Sequence, residues 1–167
     1  MTEAVVDAGP LIHLAELGAL DVLVDLDVLR VADAVWEEVQ KHQPAALRDA
    51  ALKLQRVSPP APSAELLVLT QALLLDRGEV ESLCVLEAYA QSWFLTDDAA
   101  ARLAATRRGY QVHGTIGLLI RSVRRGQRAA DDELQLLRKV PQQSTLHIRP
   151  ALLQEILQTL EREWDLS

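Results

Sequence analysis

The chain of 167 residues is 49% hydrophobic and contains seven glycines and seven prolines, which fits one globular domain with a sizeable core. Its net charge of −7, taken alone, argues against a nucleic-acid partner, because binding to a polyanion depends on lysine and arginine side chains. The single cysteine, Cys84, excludes an internal disulfide, and the first residues lack the features of a secretory signal, so a reducing, cytoplasmic setting is expected. The most apolar segment, residues 66–75, is about half the length of a membrane span, so no membrane association is expected.

Short apolar runs alternate with helical patterns along the chain, which predicts an α/β fold with a short parallel sheet flanked by helices on both faces. We expect one domain over residues 1–167, in which residues 140–167 form a helical extension packed on the rest. The predicted strands are residues 3–7, 28–31, 92–96 and 110–113. The predicted helices are residues 10–17, 19–23, 33–41, 44–54, 64–75, 78–91, 98–108, 115–125, 130–139 and 150–164.

Positive charge is concentrated in residues 99–130, which contain no Asp or Glu. Because this segment holds seven of the 17 basic residues, the rest of the chain carries 10 basic and 24 acidic side chains, a local charge of −14. This asymmetry permits an acidic pocket beside a basic wall. The seven arginines are Arg102, Arg107, Arg108, Arg121, Arg124, Arg125 and Arg128.

Carboxylates follow two of the predicted strands. Asp7 ends the first strand, and Asp97 and Asp98 follow the strand that ends at Thr96. Ligands of open α/β folds collect at the carboxyl ends of the strands, so these acids are expected to converge on one edge of the sheet. Each also has a structural interpretation: Asp7 as a loop carboxylate ahead of a helix capped by Gly9, and either Asp97 or Asp98 as a helix N-cap.

Two predicted helices add further acids. On the helix of residues 33–41, Glu38 falls near the edge of the apolar face, whereas Glu37 points to solvent. In the sequence "LDRGEVESLCVLEAYAQ", Asp76 and Glu79 have capping-box spacing, and Glu81 lies on a helix that is apolar nearly all round. A buried carboxylate needs a partner, so Glu81 is preferred as the inward acid, with Glu79 near the rim.

Oxygen ligands without a Cys or His cluster favour Mg²⁺ or Mn²⁺ over zinc. The four histidines are scattered and are expected to be packing or surface residues: His13, His42, His113 and His147. The chain also lacks the glycine-rich phosphate-binding motifs and the GxSxG motif, which argues against nucleotide-dependent transfer and serine hydrolysis.

The order of four sequence blocks resembles the PIN-domain nucleases, in particular the VapC-like toxins and their relatives. The blocks are "VVDAGPLIHLAEL", "VADAVWEEV", "DRGEVESLCVL" and "FLTDDAAARLAATRRGYQVHGTIGLL", and the resemblance covers residues 5–126. It implies that Asp7, Glu38, Glu81 and Asp98 hold one or two Mg²⁺ or Mn²⁺ ions, with Glu79 and Asp97 as adjacent alternatives. Many members have Asp at the central-helix position, so the choice between Glu79 and Glu81 stays open.

The resemblance implies a metal-dependent endoribonuclease whose products carry a 3′-hydroxyl and a 5′-phosphate, and which could be the toxin of a toxin–antitoxin pair. Thr96 and Thr115 are expected to supply hydroxyls behind the metal ligands, and Gly114 to allow close backbone approach. RNA, an antitoxin protein and a second copy of the chain are the expected partners. The arginines expected to hold the RNA backbone are Arg102, Arg107, Arg108, Arg121, Arg124 and Arg125.

Two alternatives remain at this stage. A catalytically silent PIN-like module would bind a protein partner, with an arginine of that partner entering the acidic pocket in place of a metal ion. A phosphatase-like hydrolase also places Asp after its first strand, but "DAG" lacks the second Asp that such enzymes have two residues later. The apolar residues of the final helix are expected to cover the core of the chain itself rather than a partner.

Overall fold

A computed structural model describes residues 1–165 and shows five parallel strands in one sheet. The strand order is β3-β2-β1-β4-β5, so the first strand lies at the centre and pairs with both β2 and β4. The strands are β1 (Glu3–Val6), β2 (Val28–Ala32), β3 (Leu54–Val57), β4 (Trp93–Leu95) and β5 (Val112–His113).

Helices flank this sheet, which confirms the predicted α/β class. Val5, Val6 and Phe94 on the central strands are fully buried, as expected when helices cover a parallel sheet. A short 3₁₀ helix spans Leu20–Leu23. The α-helices are α1 (Ala8–Glu16), α2 (Asp33–His42), α3 (Pro44–Leu47), α4 (Ala64–Ala72), α5 (Arg77–Ala88), α6 (Ala99–Arg107), α7 (Thr115–Arg124), α8 (Ala130–Arg138), α9 (Val140–Gln143) and α10 (Pro150–Glu163).

The predicted helix of residues 44–54 is wrong beyond Leu47. The chain leaves the helix there and makes a turn in which the Asp49 side chain accepts a hydrogen bond from the Ala51 N–H at 3.0 Å. It then enters β3, the edge strand that sequence patterning missed. Its two central residues, Gln55 and Arg56, are both exposed, so the strand shows neither a continuous apolar run nor a polar/apolar alternation.

The remaining boundaries differ by a few residues at the ends of elements. The predicted helix of residues 64–75 ends at Ala72, the predicted helix of residues 78–91 spans Arg77–Ala88, and the predicted strand of residues 110–113 shortens to Val112–His113. The segment of residues 19–23 forms a 3₁₀ turn in place of an α-helix.

The final helix packs on the rest of the chain through its apolar side. Helix α10 packs against α8 and buries Leu153, Leu157 and Leu160. The last two positions of the predicted extension, Leu166 and Ser167, lie outside the described residues. Within residues 1–165, no helix combines the length and the apolar character needed to cross a bilayer.

Candidate functional site

The carboxyl ends of β1 and β4 bring two acidic segments together at the centre of the sheet. Val6 pairs with Leu95, and the Asp7 N–H donates to the Leu95 carbonyl at 2.9 Å. One step further, the Thr96 hydroxyl donates to Asp7 Oδ2 at 3.0 Å. Residues 89 positions apart in sequence therefore share one hydrogen bond at this edge.

Asp7 is buried and also caps α1. Its Oδ1 accepts from the Ala8 N–H at 2.9 Å, so Asp7 rather than Gly9 is the N-cap, which corrects the sequence-based assignment. Burial raises the pKa of Asp7 to about 7, and the nearby carboxylates of Asp76 and Glu38 add to that rise. Ionising Asp7 therefore costs the folded chain free energy unless a cation is present.

Asp97 is held by three hydrogen bonds. His13 Nδ1 lies 2.6 Å from Asp97 Oδ2, and Thr115 donates through its backbone N–H at 2.7 Å and its hydroxyl at 2.6 Å. Burial opposes ionisation, but hydrogen bonds from His13 and Thr115 outweigh it and hold the pKa of Asp97 below its usual value. The protein itself therefore favours the charged form of Asp97.

Asp98 provides the N-cap of α6. Its Oδ2 accepts from the Ala101 N–H at 2.8 Å, and its own N–H donates to the Thr96 hydroxyl at 3.1 Å. The predicted N-cap role therefore belongs to Asp98 and leaves Asp97 free for the contacts with His13 and Thr115.

Helix α5 contributes a third acidic segment through its first turn. Asp76 and Glu79 form a reciprocal capping box, in which the Glu79 side chain accepts from the Asp76 N–H at 2.9 Å and the Asp76 side chain accepts from the Glu79 N–H at 2.8 Å. Burial raises the pKa of Glu79 to about 7, and the carboxylates of Asp76, Asp98 and Asp7 reinforce the rise. The capping box thus explains why Glu79 lies in the first turn of α5. In this position its carboxylate is close enough to Asp76, Asp98 and Asp7 for their charges to raise its pKa.

These segments enclose one cavity of about 290 Å³, which we call the acid cavity. Helix α2 adds the exposed Glu38, and His13, Thr145 and His147 complete the polar wall. The six carboxylates that line the cavity are Asp7, Glu38, Asp76, Glu79, Asp97 and Asp98.

Glu81 does not line the acid cavity, which corrects the preference for Glu81 over Glu79. Its carboxylate accepts from Arg77 Nε at 2.7 Å and from the Ala34 N–H at 3.2 Å, so it joins α5 to the start of α2. A carboxylate on a helix that is apolar nearly all round needs a partner. That partner is Arg77, four residues earlier on the same helix.

The arginine-rich segment is largely neutralised by acids from remote parts of the chain. Arg108 pairs with Glu87 at 2.6 Å, Arg124 pairs with Glu163 at 3.1 Å, and Arg128 pairs with Glu133 at 2.7 Å. Arg121 and Arg125 both bind Asp25, and together they overcome its desolvation and lower its pKa. The expected wall of free positive charge is therefore not present at these five positions.

Arg102 and Arg107 differ from the other arginines of the segment. Both side chains are exposed, and neither forms an ion pair within residues 1–165. Arg102 lies beside the site, because its Nη2 and Asp97 Oδ1 both approach Gly114.

Sequence reasoning missed three contributors to the acid cavity. Asp76 was recognised only as a cap, although a helix N-terminus at the sheet edge is a suitable place for an acid. His13 was expected to be a packing residue, and its pairing with Asp97 depends on a strand order that the sequence does not state. The segment of residues 145–147 reaches the cavity from the far end of the chain and carries no local signal.

The donor set of the acid cavity fits a hard divalent cation. All six carboxylates offer oxygen ligands, and burial, reinforced by the neighbouring carboxylates, raises the pKa of two of them, Asp7 and Glu79, to about 7. In residues 1–165, no three acidic, histidine or cysteine side chains are already grouped closely enough to hold a metal ion. Binding would therefore draw these side chains together.

Gly114 fits closely between β5 and α7. An added Cβ atom would lie 2.8 Å from Arg102 Nη2 and 2.9 Å from Asp97 Oδ1. We expect Gly114→Ala to lower the free energy of unfolding by about 1–3 kcal/mol, because Asp97 is held by three other bonds and must shift. At Gly117, an added Cβ meets nothing within 4 Å, so Gly117→Ala should stabilise α7 by up to about 1 kcal/mol. Urea denaturation of both variants checks this contrast, and equal effects of the two substitutions would contradict it.

Comparison with known proteins adds one match. The family model described as DUF3368: PIN domain matches residues 3–162 of the chain. None of the curated proteins compared matches the chain. The matched range contains every residue of the acid cavity.

Proposed function

The chain belongs to the PIN-domain family, a family with a nuclease-type fold, and from this premise we propose that it is a divalent-metal-dependent endoribonuclease. One observation above all supports the proposal: six carboxylates from four separate segments of the chain line one cavity. Two of them, Asp7 and Glu79, have a pKa raised to about 7. Such a site is costly for the fold alone and useful for holding a cation.

Asp7, Glu38, Glu79, Asp97 and Asp98 would hold Mg²⁺ or Mn²⁺ in this proposal. When bound, the ion supplies the Lewis acidity that lowers the pKa of an attacking water and stabilises the leaving 3′ oxygen of the RNA. Asp76 contributes negative charge at the rim of the cavity and fixes the first turn of α5 through the capping box.

Three side chains orient the proposed ligands. The Thr96 hydroxyl directs one oxygen of Asp7, and Thr115 and His13 together fix the rotamer of Asp97. Hydrogen bonds of this kind set the direction of carboxylate lone pairs and the basicity of a ligand. Their loss is expected to reduce activity less than loss of a ligand.

RNA binding is proposed to depend on Arg102 and Arg107. Both guanidinium groups are exposed and have no acidic partner within residues 1–165, so they can replace counterions on a phosphate backbone. The other four arginines that the sequence suggested for RNA are assigned to holding the fold, because carboxylates already occupy them: Arg108, Arg121, Arg124 and Arg125.

The direct test is cleavage of labelled single-stranded RNA by the purified chain with Mg²⁺, Mn²⁺ or a chelator. We expect cleavage with either metal, products ending in a 3′-hydroxyl and a 5′-phosphate, and none with excess chelator. Single-stranded DNA of the same sequence and a small phosphate ester serve as comparison substrates. Hydrolysis of the ester without cleavage of RNA would contradict the proposal and favour the phosphatase alternative.

The proposed biological setting is the toxin of a cytoplasmic toxin–antitoxin pair that acts as a homodimer. An apolar surface on and after α4 supports a protein partner, because Leu67, Val68 and Leu74 are 46%, 67% and 90% exposed. The one free cysteine, Cys84, is buried, which suits a reducing compartment. Sedimentation of the purified chain tests the dimer.

A silent module that docks a protein is the alternative. It is favoured by the 2.6 Å contact between His13 and Asp97, since an imidazole already pairs with one of the acids that would bind the metal. The RNA assay separates the two functions, because a silent module would bind its partner and cleave nothing.

A further inference from the structure

A second cavity, of about 350 Å³, opens beside the acid cavity, and we call it the side pocket. The two cavities share Asp97, Leu146 and His147 as lining residues. A ligand chain that passes through the acid cavity can therefore place its next group in the side pocket without leaving the surface.

The walls of the side pocket combine apolar surface with one cation. Ile116 of α7 and Leu152 and Ile156 of α10 form the apolar part, and Leu152 is 39% exposed. Arg102 lines the pocket and has no ion-pair partner among residues 1–165. His113 adds an imidazole that is tilted against the Trp93 ring at a centroid distance of 4.4 Å.

Hydrogen-bonding capacity is available at the same place. In the part of the chain that the structure describes, His113 Nε2 is buried without a partner, and the side chain of Asp97 accepts only from the first N–H of α7, that of Thr115. The first-turn N–H groups of Ile116 and Gly117, both lining residues, are free to meet an acceptor. Buried polar atoms are normally satisfied, so this wall suits a ligand with polar edges and a flat apolar face.

The C-terminal extension builds one side of the pocket and is fixed in place. Thr145 donates to Glu16 Oε1 through its N–H at 2.9 Å and its hydroxyl at 2.8 Å, which ties the segment before α10 to the end of α1. Leu146, His147 and Ile148 then pass along the opening. The side pocket is thus lined jointly by residues of this extension and by the start of α7.

We propose that the side pocket holds one unstacked nucleobase of a single-stranded RNA whose adjacent phosphate lies in the acid cavity. This inference rests on the proposed nuclease function and adds to it a substrate class, RNA with an unpaired base next to the cleaved bond. An unpaired base has an apolar face for the wall of Ile116 and Leu152, polar edges for the N–H groups of α7, and a neighbouring phosphate for Arg102.

Charge and continuity favour this occupant over a protein side chain. The pocket has a free cation at its wall, and it opens directly onto the cavity where the scissile phosphate is proposed to lie. A base tethered to that phosphate loses little further translational entropy on entering the pocket, whereas an independent protein ligand loses all of it.

Gly117 offers a clean way to block the pocket. It lines the opening, and its added Cβ meets no atom within 4 Å, so a tryptophan there can project across the space without disturbing Asp97. Gly117→Ala is the matched control, because it makes the same backbone change with a side chain too small to obstruct. Thermal melting of both variants establishes that they are folded.

The experiment uses one short single-stranded RNA and a series of variants of it. Each variant lacks one base at a position that flanks the cleaved bond, and its cleavage is compared with cleavage of the intact RNA. For the wild type, removal of one particular base should lower kcat/KM by roughly tenfold to a hundredfold, the usual effect of losing one base-stacking contact. On the intact RNA, Gly117→Trp should lower kcat/KM by a similar factor relative to the wild type. On the RNA that lacks this particular base, kcat/KM of Gly117→Trp should be close to that of the wild type. Gly117→Ala keeps the backbone N–H and adds only a methyl group, so removal of the same base should lower its kcat/KM by a factor similar to that of the wild type.

The other outcomes separate this inference from the proposed function. If the wild type cleaves the intact and all abasic RNAs alike, or if Gly117→Trp cleaves the intact RNA normally, the nucleobase assignment is overturned and a protein side chain becomes the better occupant. If Gly117→Trp is impaired equally on every RNA, the substitution acts through the acid cavity and the assignment also fails. If the wild type cleaves no RNA, the proposed function and this inference fall together.

Discussion

Asp7→Asn should abolish RNA cleavage, with kcat/KM at least about 100-fold below that of the wild type, while making the metal-free protein more stable. The activity falls because the site loses the buried oxygen anion at its centre. The fold is retained because the asparagine carbonyl oxygen can still accept from the Ala8 N–H, while its NH2 group can donate to the Thr96 hydroxyl oxygen.

The gain in stability should depend on pH in a defined direction. The pKa of Asp7 is about 7 in the folded chain, compared with an ordinary value of 3.8, so between these values the folded state holds a proton that the unfolded state has released. The free energy of unfolding of the wild type therefore falls as pH rises from about 4 to 7 and then levels off, whereas Asp7→Asn lacks this contribution. The variant should resemble the wild type near pH 4 and exceed it by about 2–4 kcal/mol above pH 7.

Urea denaturation in the presence of a chelator, at pH values from 4 to 8, measures this difference. Asp132→Asn, at an exposed acid in the first turn of α8, is the matched control and should change neither cleavage nor the pH dependence of stability. Retained cleavage in Asp7→Asn would remove Asp7 from the site. Destabilisation of the variant at every pH would show that the carboxylate is satisfied within the fold.

Glu79→Gln should impair cleavage and Glu81→Gln should leave it nearly unchanged, because only Glu79 lines the acid cavity. We expect Glu79→Gln to lower kcat/KM by roughly tenfold to a hundredfold. Glutamine can still accept from the Asp76 N–H, so the capping box and the start of α5 survive. Glu81→Gln should keep cleavage within about twofold and change stability by about 1 kcal/mol or less, since its partner Arg77 is 71% exposed.

Cleavage assays and thermal melting of the two variants side by side decide this point, and each variant is the control for the other. A loss of cleavage in Glu81→Gln with normal cleavage in Glu79→Gln would reverse the assignment. It would mean that Glu81 of α5, rather than Glu79, faces the substrate.

The sequence was sufficient to predict the edge of the sheet where the acids meet. Asp7 and Asp97 each follow a short apolar strand, and the parallel class places both acids at the same edge of the sheet. Their close approach depends in addition on β1 and β4 being neighbours, which the structure shows. The hydroxyls of Thr96 and Thr115 donate to Asp7 and Asp97 at the same edge, because Thr96 directly follows β4 and Thr115 begins α7.

Local patterning did not predict what depends on contacts between distant segments. The choice between Glu79 and Glu81 depends on where α5 begins and on Arg77, and helical periodicity allows either orientation. Strand β3 was missed because its central residues are exposed at the edge of the sheet. The arginines appeared free because their acidic partners, such as Asp25 and Glu163, lie far away in sequence.

The position of residues 144–149 beside the acid cavity also could not be predicted from the sequence. This segment contains no motif, and its place beside the acid cavity follows from the contact between Thr145 and Glu16 and from the packing of α10 on α8. Only the helical spacing of the leucines in α10 could be recognised, and it predicted packing on the core without indicating which cavity the connecting loop would line.

The most direct measurement is a crystal structure of the chain soaked in Mn²⁺, with the anomalous signal of manganese used to locate the ion. We predict a peak in the acid cavity, within coordination distance of Asp7 and of at least two further carboxylates from among Glu38, Glu79, Asp97 and Asp98. The same crystal form of Asp7→Asn should show no peak there. An empty acid cavity in the wild-type crystal, or a manganese ion bound only elsewhere on the surface, would contradict the account.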